Sequence, residues 1–256
     1  MTIFSLLLGA IVGSFLNVVI LRLPKEDTSI VFPGSHCPHC GHQLSWWENI
    51  PLLSYLLLRG RCRSCHERIS WQYPLVEAAM AIFSALLLHR FGVNIEYCLM
   101  FIFFAALLVI IFIDIHHQII PDRISLPGIL LGFATSWFSD QITWQQSGLG
   151  IFLGGGVLYL VAFGYFALTK REGMGGGDIK LLAMIGAFLG WQSLLYIVFA
   201  SSLFGSLVGI LAILRQGQGG KTRIPFGPFL AFGAMTWVLF QDQILSLWHL
   251  YLGLAR

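Results

Sequence analysis

Along most of the chain apolar residues follow one another without alternation, and charges, prolines or polar clusters interrupt them. Many of the uninterrupted runs approach the roughly 20 residues that a helix needs to cross a bilayer. Taking the interruptions as boundaries predicts eight membrane helices, near 2–21, 74–91, 95–113, 124–139, 148–169, 178–190, 193–214 and 226–241. A transmembrane barrel would need strands of alternating polarity, which these runs are not. Only 22–73 is long and polar enough to form a separate small domain, so the chain divides into a first helix (1–21), a loop domain (22–73) and a membrane domain (74–256). The tail 242–256 suits a short interfacial helix, with Trp248 and Tyr251 at a headgroup boundary. The first run lacks a basic leader region and a small-residue cleavage site, so it is expected to be retained as a helix. No internal repeat stands out.

Composition agrees with lipid as the main solvent. The 256 residues are 57% hydrophobic and 11% charged, with a mean hydropathy of +0.79. Soluble domains carry about 25% charged residues, so this chain lacks the side chains to cover a water-facing surface. The net charge of +3 includes no dense basic stripe with interleaved aromatics, which argues against nucleic-acid binding. Its distribution is more informative. If 22–73 is cytoplasmic, Arg22, Lys25, Arg59, Arg61, Arg63, Arg68, Arg123, Lys170, Arg171, Lys180, Arg215, Lys221 and Arg223 all share that side, and only Arg90 and Arg256 do not. That asymmetry places the N-terminus outside and the loop domain inside. Glycines four apart, at Gly9/Gly13, Gly128/Gly132, Gly150/Gly154 and Gly205/Gly209, point to close helix packing.

Two CxxC pairs, Cys37-Pro-His-Cys40 and Cys62-Arg-Ser-Cys65, lie in the loop domain. Each pair can aim two thiolates at one ion, and two pairs complete the tetrahedron of a structural zinc site with no open position. A loop this short has little core, so the metal would contribute much of its folding free energy. A cytoplasmic location weighs against disulfides. His36, His39, His42 and His66 lie close enough to replace a thiolate, although four sulfurs are preferred. Cys98 stands alone in an apolar run and reads as core filler.

Asp114 closes the run 97–113, and Asp178 opens another after Gly175-Gly-Gly. Two predicted crossings separate them, so both aspartates return to the cytoplasmic face at similar depth. Two carboxylates brought together share a proton: one takes a proton from water while the other donates to a scissile carbonyl, as in aspartic proteases. The glycines before Asp178 remove side chains where a substrate backbone must approach. Capping competes with catalysis on spacing alone, since Asp178 can cap its helix and Asp122, after Pro121, looks like an N-cap. His116 and His117 suit solvated headgroups.

Together the motifs resemble one family, the bacterial type IV prepilin peptidases. Gly13-Ser-Phe-Leu-Asn-Val-Val-Ile-Leu-Arg-Leu-Pro24 is similar to its first-helix signature. The cysteine pairs, with Asn49-Ile-Pro51, Leu58-Arg-Gly60 and Tyr73-Pro-Leu-Val-Glu77, resemble its cytoplasmic loop. Asp114 through Asp122, and Gly175-Gly-Gly-Asp178-Ile-Lys-Leu, resemble its two aspartate motifs, the second being the GxGD signature shared with presenilin-like proteases. The match runs from about residue 9 to 190, and Pro225-Phe-Gly-Pro228 is only loosely family-like.

The resemblance implies a bacterial inner-membrane enzyme in which Asp114 and Asp178 cleave a short basic leader from prepilins or pseudopilins. Members with the tetracysteine loop also transfer a methyl group from S-adenosylmethionine to the new N-terminal amine. Glu48 and Glu77 are candidates for recognising the positive leader, Glu77 being equally suited to serve the methyl transfer or to cap a helix. The alternatives are a presenilin-like intramembrane protease, a non-enzymatic assembly factor with a zinc-stabilised anchor, and a redox membrane protein. The expected fold is an all-α polytopic membrane protein of about eight transmembrane helices with a small zinc-binding cytoplasmic loop. The charge asymmetry carries a direct test. Thiols introduced near Asp140–Ser147 should react with an impermeant reagent from outside and those near Gly217–Gly220 should not; the reverse pattern would overturn the orientation.

Overall fold

Each of the eight apolar runs becomes a helix, and two of the helices are too short to cross a bilayer alone. The computed structural model describes residues 1–25, 29–139, 141–170, 175–216, 225–251 and 253. Arg171, Lys221, Arg223, Arg256, Asp140, Gly173 and Gly217–Gly220 lie outside the described residues, as do the side chains of Arg215 and Tyr251. The helices are α1 (Thr2–Arg22), α2 (Leu53–Leu57), α3 (Gln72–Phe91), α4 (Ile95–His117), α5 (Asp122–Thr135), α6 (Trp144–Thr169), α7 (Gly176–Leu189), α8 (Trp191–Gln216) and α9 (Gly227–Tyr251), with a 3₁₀ turn at Trp46–Asn49. Six of them, α1, α3, α4, α6, α8 and α9, are long and apolar enough to span a membrane. At 1.5 Å per residue, the 14 residues of α5 and of α7 reach about 21 Å, short of the roughly 30 Å hydrocarbon core.

Two units divide at the end of α4, Met1–Ile113 and Asp114–Arg256. In the first, α1 and α3 pack along a stripe of small residues. A Cβ on Gly9 would lie 2.6 Å from the Ala81 Cα, and one on Gly13 would lie 2.7 Å from the Glu77 Cα. Only glycine admits a backbone that near. Polar groups inside the pair bond to each other: Ser84 Oγ donates to the Ser5 carbonyl (2.8 Å), and Asn17 Nδ2 donates to the Tyr73 carbonyl (3.1 Å).

In the second unit α7 is the central helix. Leu181 through Phe188 are buried without a break, and α7 packs against α5, α6, α8 and α9. A helix sheathed on every side needs no polar face, which is why its sequence is apolar all round. Its neighbours approach it through the predicted glycines. Gly150 of α6 meets the Gly186 backbone, and a Cβ on Gly154 would lie 2.6 Å from the Leu182 carbonyl. Gly128 faces the Met184 side chain and Gly132 faces Ala187 and Phe188. Ser147 Oγ reinforces the α6–α7 contact by donating to the Ala187 carbonyl at 2.7 Å. Gly205 makes only an ordinary contact, 3.5 Å from the Phe229 ring.

Cys98 departs from expectation: its side chain is exposed on α4 rather than buried in a core. The α9 helix breaks at Phe240 (φ −125°), near the predicted division between the last span and the interfacial tail. The α6–α7 contact predicts that Gly150→Leu destabilises the chain by about 1–3 kcal/mol or more, as overpacking does. Gly156→Leu on the same helix, where an added Cβ meets nothing within 4 Å, should change little; thermal unfolding in detergent compares the two.

Candidate active site and metal centre

Asp114 and Asp178 come together through helix ends. Asp114 sits in the last turn of α4 and is buried. After His117 the chain turns through Gln118 (φ +54°), whose amide donates to the Asp114 carbonyl at 2.9 Å, and the Ile120 side chain and the Asp114 carboxylate both border Gly227. Asp178 lies in the first turn of α7, half-buried. A Cβ on Gly177, next to Asp178, would meet the Ile120 side chain, and one on Gly227 would meet both Ile120 and the Asp114 carboxylate, so the two acids border one cluster. His116 and His117 are exposed, as expected.

The glycines of the second motif divide by what surrounds them. A Cβ on Gly177 would lie 2.9 Å from Ile120 Cβ, so that position is glycine for packing. A Cβ on Gly176 meets nothing within 4 Å, and the nearest atom to one on Gly175 is an Asp178 carboxylate oxygen at 3.8 Å. Among the described residues, an open strip of backbone therefore lies beside Asp178.

Sequence reasoning missed Gly227. Its amide donates to Asp114 Oδ2 at 3.0 Å, and a Cβ there would lie 2.6 Å from that oxygen. The signal was Pro225-Phe-Gly-Pro228, a glycine between prolines at the start of a membrane helix. Nothing in the sequence tied it to a carboxylate 113 positions earlier. Asp122 is not the N-cap, which is Pro121. Its carboxylate pairs with Lys180 Nζ at 2.7 and 2.8 Å, joining the starts of α5 and α7. Both partners are substantially exposed, and such pairs contribute at most about 1 kcal/mol.

The four predicted cysteines also come together. Their sulfurs all lie within 4.8 Å of one another, with Cys37–Cys65 at 3.8 Å and Cys40–Cys62 at 3.9 Å. A repeat produces this arrangement. Cys37-Pro-His-Cys-Gly-His-Gln-Leu-Ser-Trp46 and Cys62-Arg-Ser-Cys-His-Glu-Arg-Ile-Ser-Trp71 share the pattern CxxCxxx-Leu/Ile-Ser-Trp, so the absence of a repeat expected from the sequence does not hold. Equivalent backbone bonds close both knuckles: Cys37 to the His42 carbonyl and Cys62 to Glu67, Gly41 to Cys37 and His66 to Cys62, Leu44 to Ser35 and Ile69 to Gly60. The residue after each second cysteine is left-handed, Gly41 at φ +71° and His66 at +58°.

The amides of Cys65 and Ser64 hold the Cys62 thiol down at about 6. Against a lowering bond from the Glu67 amide, desolvation and the neighbouring thiols push Cys65 up to about 12. A cation removes that conflict by neutralising all four sulfurs together, and this donor set fits zinc.

The two glutamates considered for leader recognition are already engaged. Glu48 is buried, with Oε2 accepting from the Ser45 amide (2.8 Å) and facing His42 Nε2 (3.3 Å). The Ser45 bond, more than the His42 contact, holds its carboxyl below the usual range. Glu77, also buried, accepts at 2.8 Å from the amide of Leu52, a non-glycine residue at φ +62°.

Comparison with known proteins gives consistent matches. Residues 7–91 match the Bacterial Peptidase A24 N-terminal domain, and residues 101–210 match the Type IV leader peptidase family. Proteins named prepilin leader peptidase/N-methyltransferase are similar over nearly the whole chain. The one from Pseudomonas putida is 38% identical, covering 93% of this chain and 90% of its own. That from Stutzerimonas stutzeri is 39% identical over 98% and 94%, and that from Pseudomonas aeruginosa is 40% identical over 94% and 90%. No solved structure matches at a significant level.

The sulfur cluster predicts about one bound zinc per purified chain, with chelation loosening residues 34–70 before the helices. Metal analysis with limited proteolysis checks this. Metal well below one equivalent in a chain with an intact loop would refute it, and Cys98→Ser should leave the content unchanged.

Proposed function

The chain belongs to the type IV leader peptidase family, and from that premise we propose that it cleaves the leader of prepilins or pseudopilins with Asp114 and Asp178 and then methylates the new N-terminal amine. The observation that carries the catalytic assignment is the convergence of the α4 and α7 ends, where the Ile120 side chain lies against Gly177, next to Asp178, and against Gly227, beside the Asp114 carboxylate. One carboxylate takes a proton from the attacking water while its protonated partner donates to the scissile carbonyl. An extended substrate segment has room along the glycine strip, where no side chain obstructs it. Gly227 supports the pair by donating to Asp114 Oδ2, leaving the other oxygen for water or proton transfer.

Arg22, Lys25, Arg59, Arg61, Arg63 and Arg68 between α1 and α3, against Arg90 alone by the turn between α3 and α4, support a bacterial inner-membrane location with the N-terminus outside and residues 22–73 as a cytoplasmic domain. Zinc fits that domain as a structural ion, because four sulfurs leave it no site for substrate. For the second reaction S-adenosylmethionine supplies an electrophilic methyl group. Among the described residues, two pockets, one lined by Ser136, Gln141 and Trp144 and one by Thr2, Leu86 and His89, show no carboxylate to hold its ribose or amine. On the acceptor side a free α-amine has a pKa of about 7.7–8.0, so a useful fraction is neutral near pH 7 without a strong base. Orientation of the amine is then the chain's main task.

Incubation with a prepilin, followed by mass measurement of the product N-terminus, tests both activities together. Asp114→Asn and Asp178→Asn should each lower cleavage by at least about 10²-fold, and the double variant little further, since groups acting as one unit are not additive. Asp122→Asn should retain most activity. Gly227→Ala, which sets a methyl group against the Asp114 carboxylate and disturbs a bond to a charged group worth about 1.5–3 kcal/mol, should lower cleavage about 10- to 100-fold. Full cleavage by both dyad variants would refute the assignment, whereas no cleavage by the unaltered chain would favour a non-enzymatic role.

Methyl transfer should be separable from cleavage. Asp178→Asn should fail on a prepilin yet transfer labelled methyl to a pre-cleaved pilin. If the folded variant binds that pilin and transfers nothing, the aspartates serve both reactions.

A further inference from the structure

The cysteine lobe carries an apolar surface that its own fold leaves uncovered. On α2, Leu53, Leu56 and Leu57 are 49%, 71% and 67% exposed, and Trp71 is 78% exposed. Tyr55, on the other side of the α2 turn from these leucines, packs its ring 5.5 Å from that of Trp71, which sets α2 beside that residue. In a water-soluble lobe such a surface would promote aggregation. Here both ends of the lobe run directly into membrane spans, α1 before it and α3 after it.

The surface continues into one of those spans. Trp71 has helical backbone angles (φ −62°, ψ −17°) and immediately precedes α3. Leu75, Ile82 and Leu86 are also exposed, and with Trp71 they follow at steps of four, seven and four residues. At 3.6 residues per turn those steps keep all four side chains on one face of the helix. Trp71 therefore stands at the head of an exposed apolar stripe on α3, and α2 sits beside it. Tryptophan at that point is the residue favoured where hydrocarbon meets headgroups.

Among the described residues, exposed charge near α2 is mainly basic. Arg59 follows the helix with its amide bonded to the Leu56 carbonyl, and Arg61 and Arg68 pair across the second knuckle. All three arginines are exposed. Among the described residues of the lobe the acids are Glu67 and the buried Glu48. An apolar turn flanked by arginines is the pattern of an interfacial anchor on anionic lipid.

We infer that α2 and Trp71 dock the cysteine lobe onto the surface of the same bilayer that α1 and α3 cross, with Leu53, Leu56 and Leu57 in the headgroup–acyl boundary and Arg59, Arg61 and Arg68 against anionic headgroups. The docking depends on the multi-pass membrane character of the chain and not on the catalytic assignment. It gives the cysteine knuckles a second role, since the metal-organised turns hold α2 at the height of the α3 N-terminus.

The test uses the full chain with a photoreactive benzophenone amino acid at Leu56, at Leu57 or, as a control on the first knuckle, at Gln43. Each protein is reconstituted in phosphatidylethanolamine vesicles with or without phosphatidylglycerol. Lipid adducts are counted by mass spectrometry, and retained metal reports that the lobe is folded. Docking predicts adducts at Leu56 and Leu57 several-fold above those at Gln43, increasing with phosphatidylglycerol. Each arginine beside an anionic surface shifts the docked population about fivefold, so the Arg59→Gln, Arg68→Gln double variant should lose most of that increase. Crosslinks to a second copy of the chain in place of lipid, equal lipid labelling at all three positions, or none at Leu56 and Leu57 would each overturn the inference. Labelling that ignores phosphatidylglycerol would overturn its electrostatic half.

Discussion

Close backbone approach around α7 is the constraint on which the second unit depends. Apolar side chains gain little by leaving lipid for one another, so helices in a bilayer associate by packing that lipid tails cannot match and by bonds between polar groups. The contact between Gly150 and Gly186, with Gly154 against the Leu182 backbone, supplies that packing. The Ser147 hydroxyl adds a polar bond to the Ala187 carbonyl. A 14-residue helix has no means of spanning the membrane alone, and α7 is held because its neighbours enclose it. Its short length then has a use: an enclosed short helix places its first turn, with Asp178, at a level where a helix end and open backbone coexist.

Irregular backbone at the site follows from the same physics. Non-helical segments inside a membrane protein need partners within the protein for their polar groups. The turn after α4 obtains them, with the Gln118 amide bonded to the Asp114 carbonyl and Ile120 packed against Gly177. Gly227 completes the arrangement by giving its amide to the Asp114 carboxylate. One residue thereby links the start of α9 to the end of α4, and its missing side chain leaves the carboxylate its space. The Asp122–Lys180 pair ties the starts of α5 and α7 from the exposed side.

The cysteine lobe solves a different problem by a different means. It is too small to bury a core, and two copies of one knuckle converge their sulfurs instead. Near-identical bonding in the two copies shows that the turn is a local property of CxxC followed by a left-handed residue. Glu77 then anchors the lobe to α3 by accepting from Leu52, whose left-handed backbone would be unfavourable without a fixed partner.

The sequence by itself determined every property that arises from neighbours along the chain. Hydrophobic run length announced eight helices, glycine spacing announced three of the helix contacts, and CxxC spacing announced the sulfur cluster. Each is local or periodic, so it leaves a pattern within a few dozen residues. It also placed Asp114 and Asp178 at helix ends, because a charge that closes or opens an apolar run has no other place to lie. Only the tertiary structure decided which helices are enclosed, since α5 and α7 differ from true spans by a few residues and by their neighbours. Only it brought Gly227 to Asp114 and Lys180 to Asp122, and engaged Glu48 and Glu77 in internal bonds. Those partners are set by how helices far apart in sequence pack, and a bond across 113 positions leaves no periodicity to read.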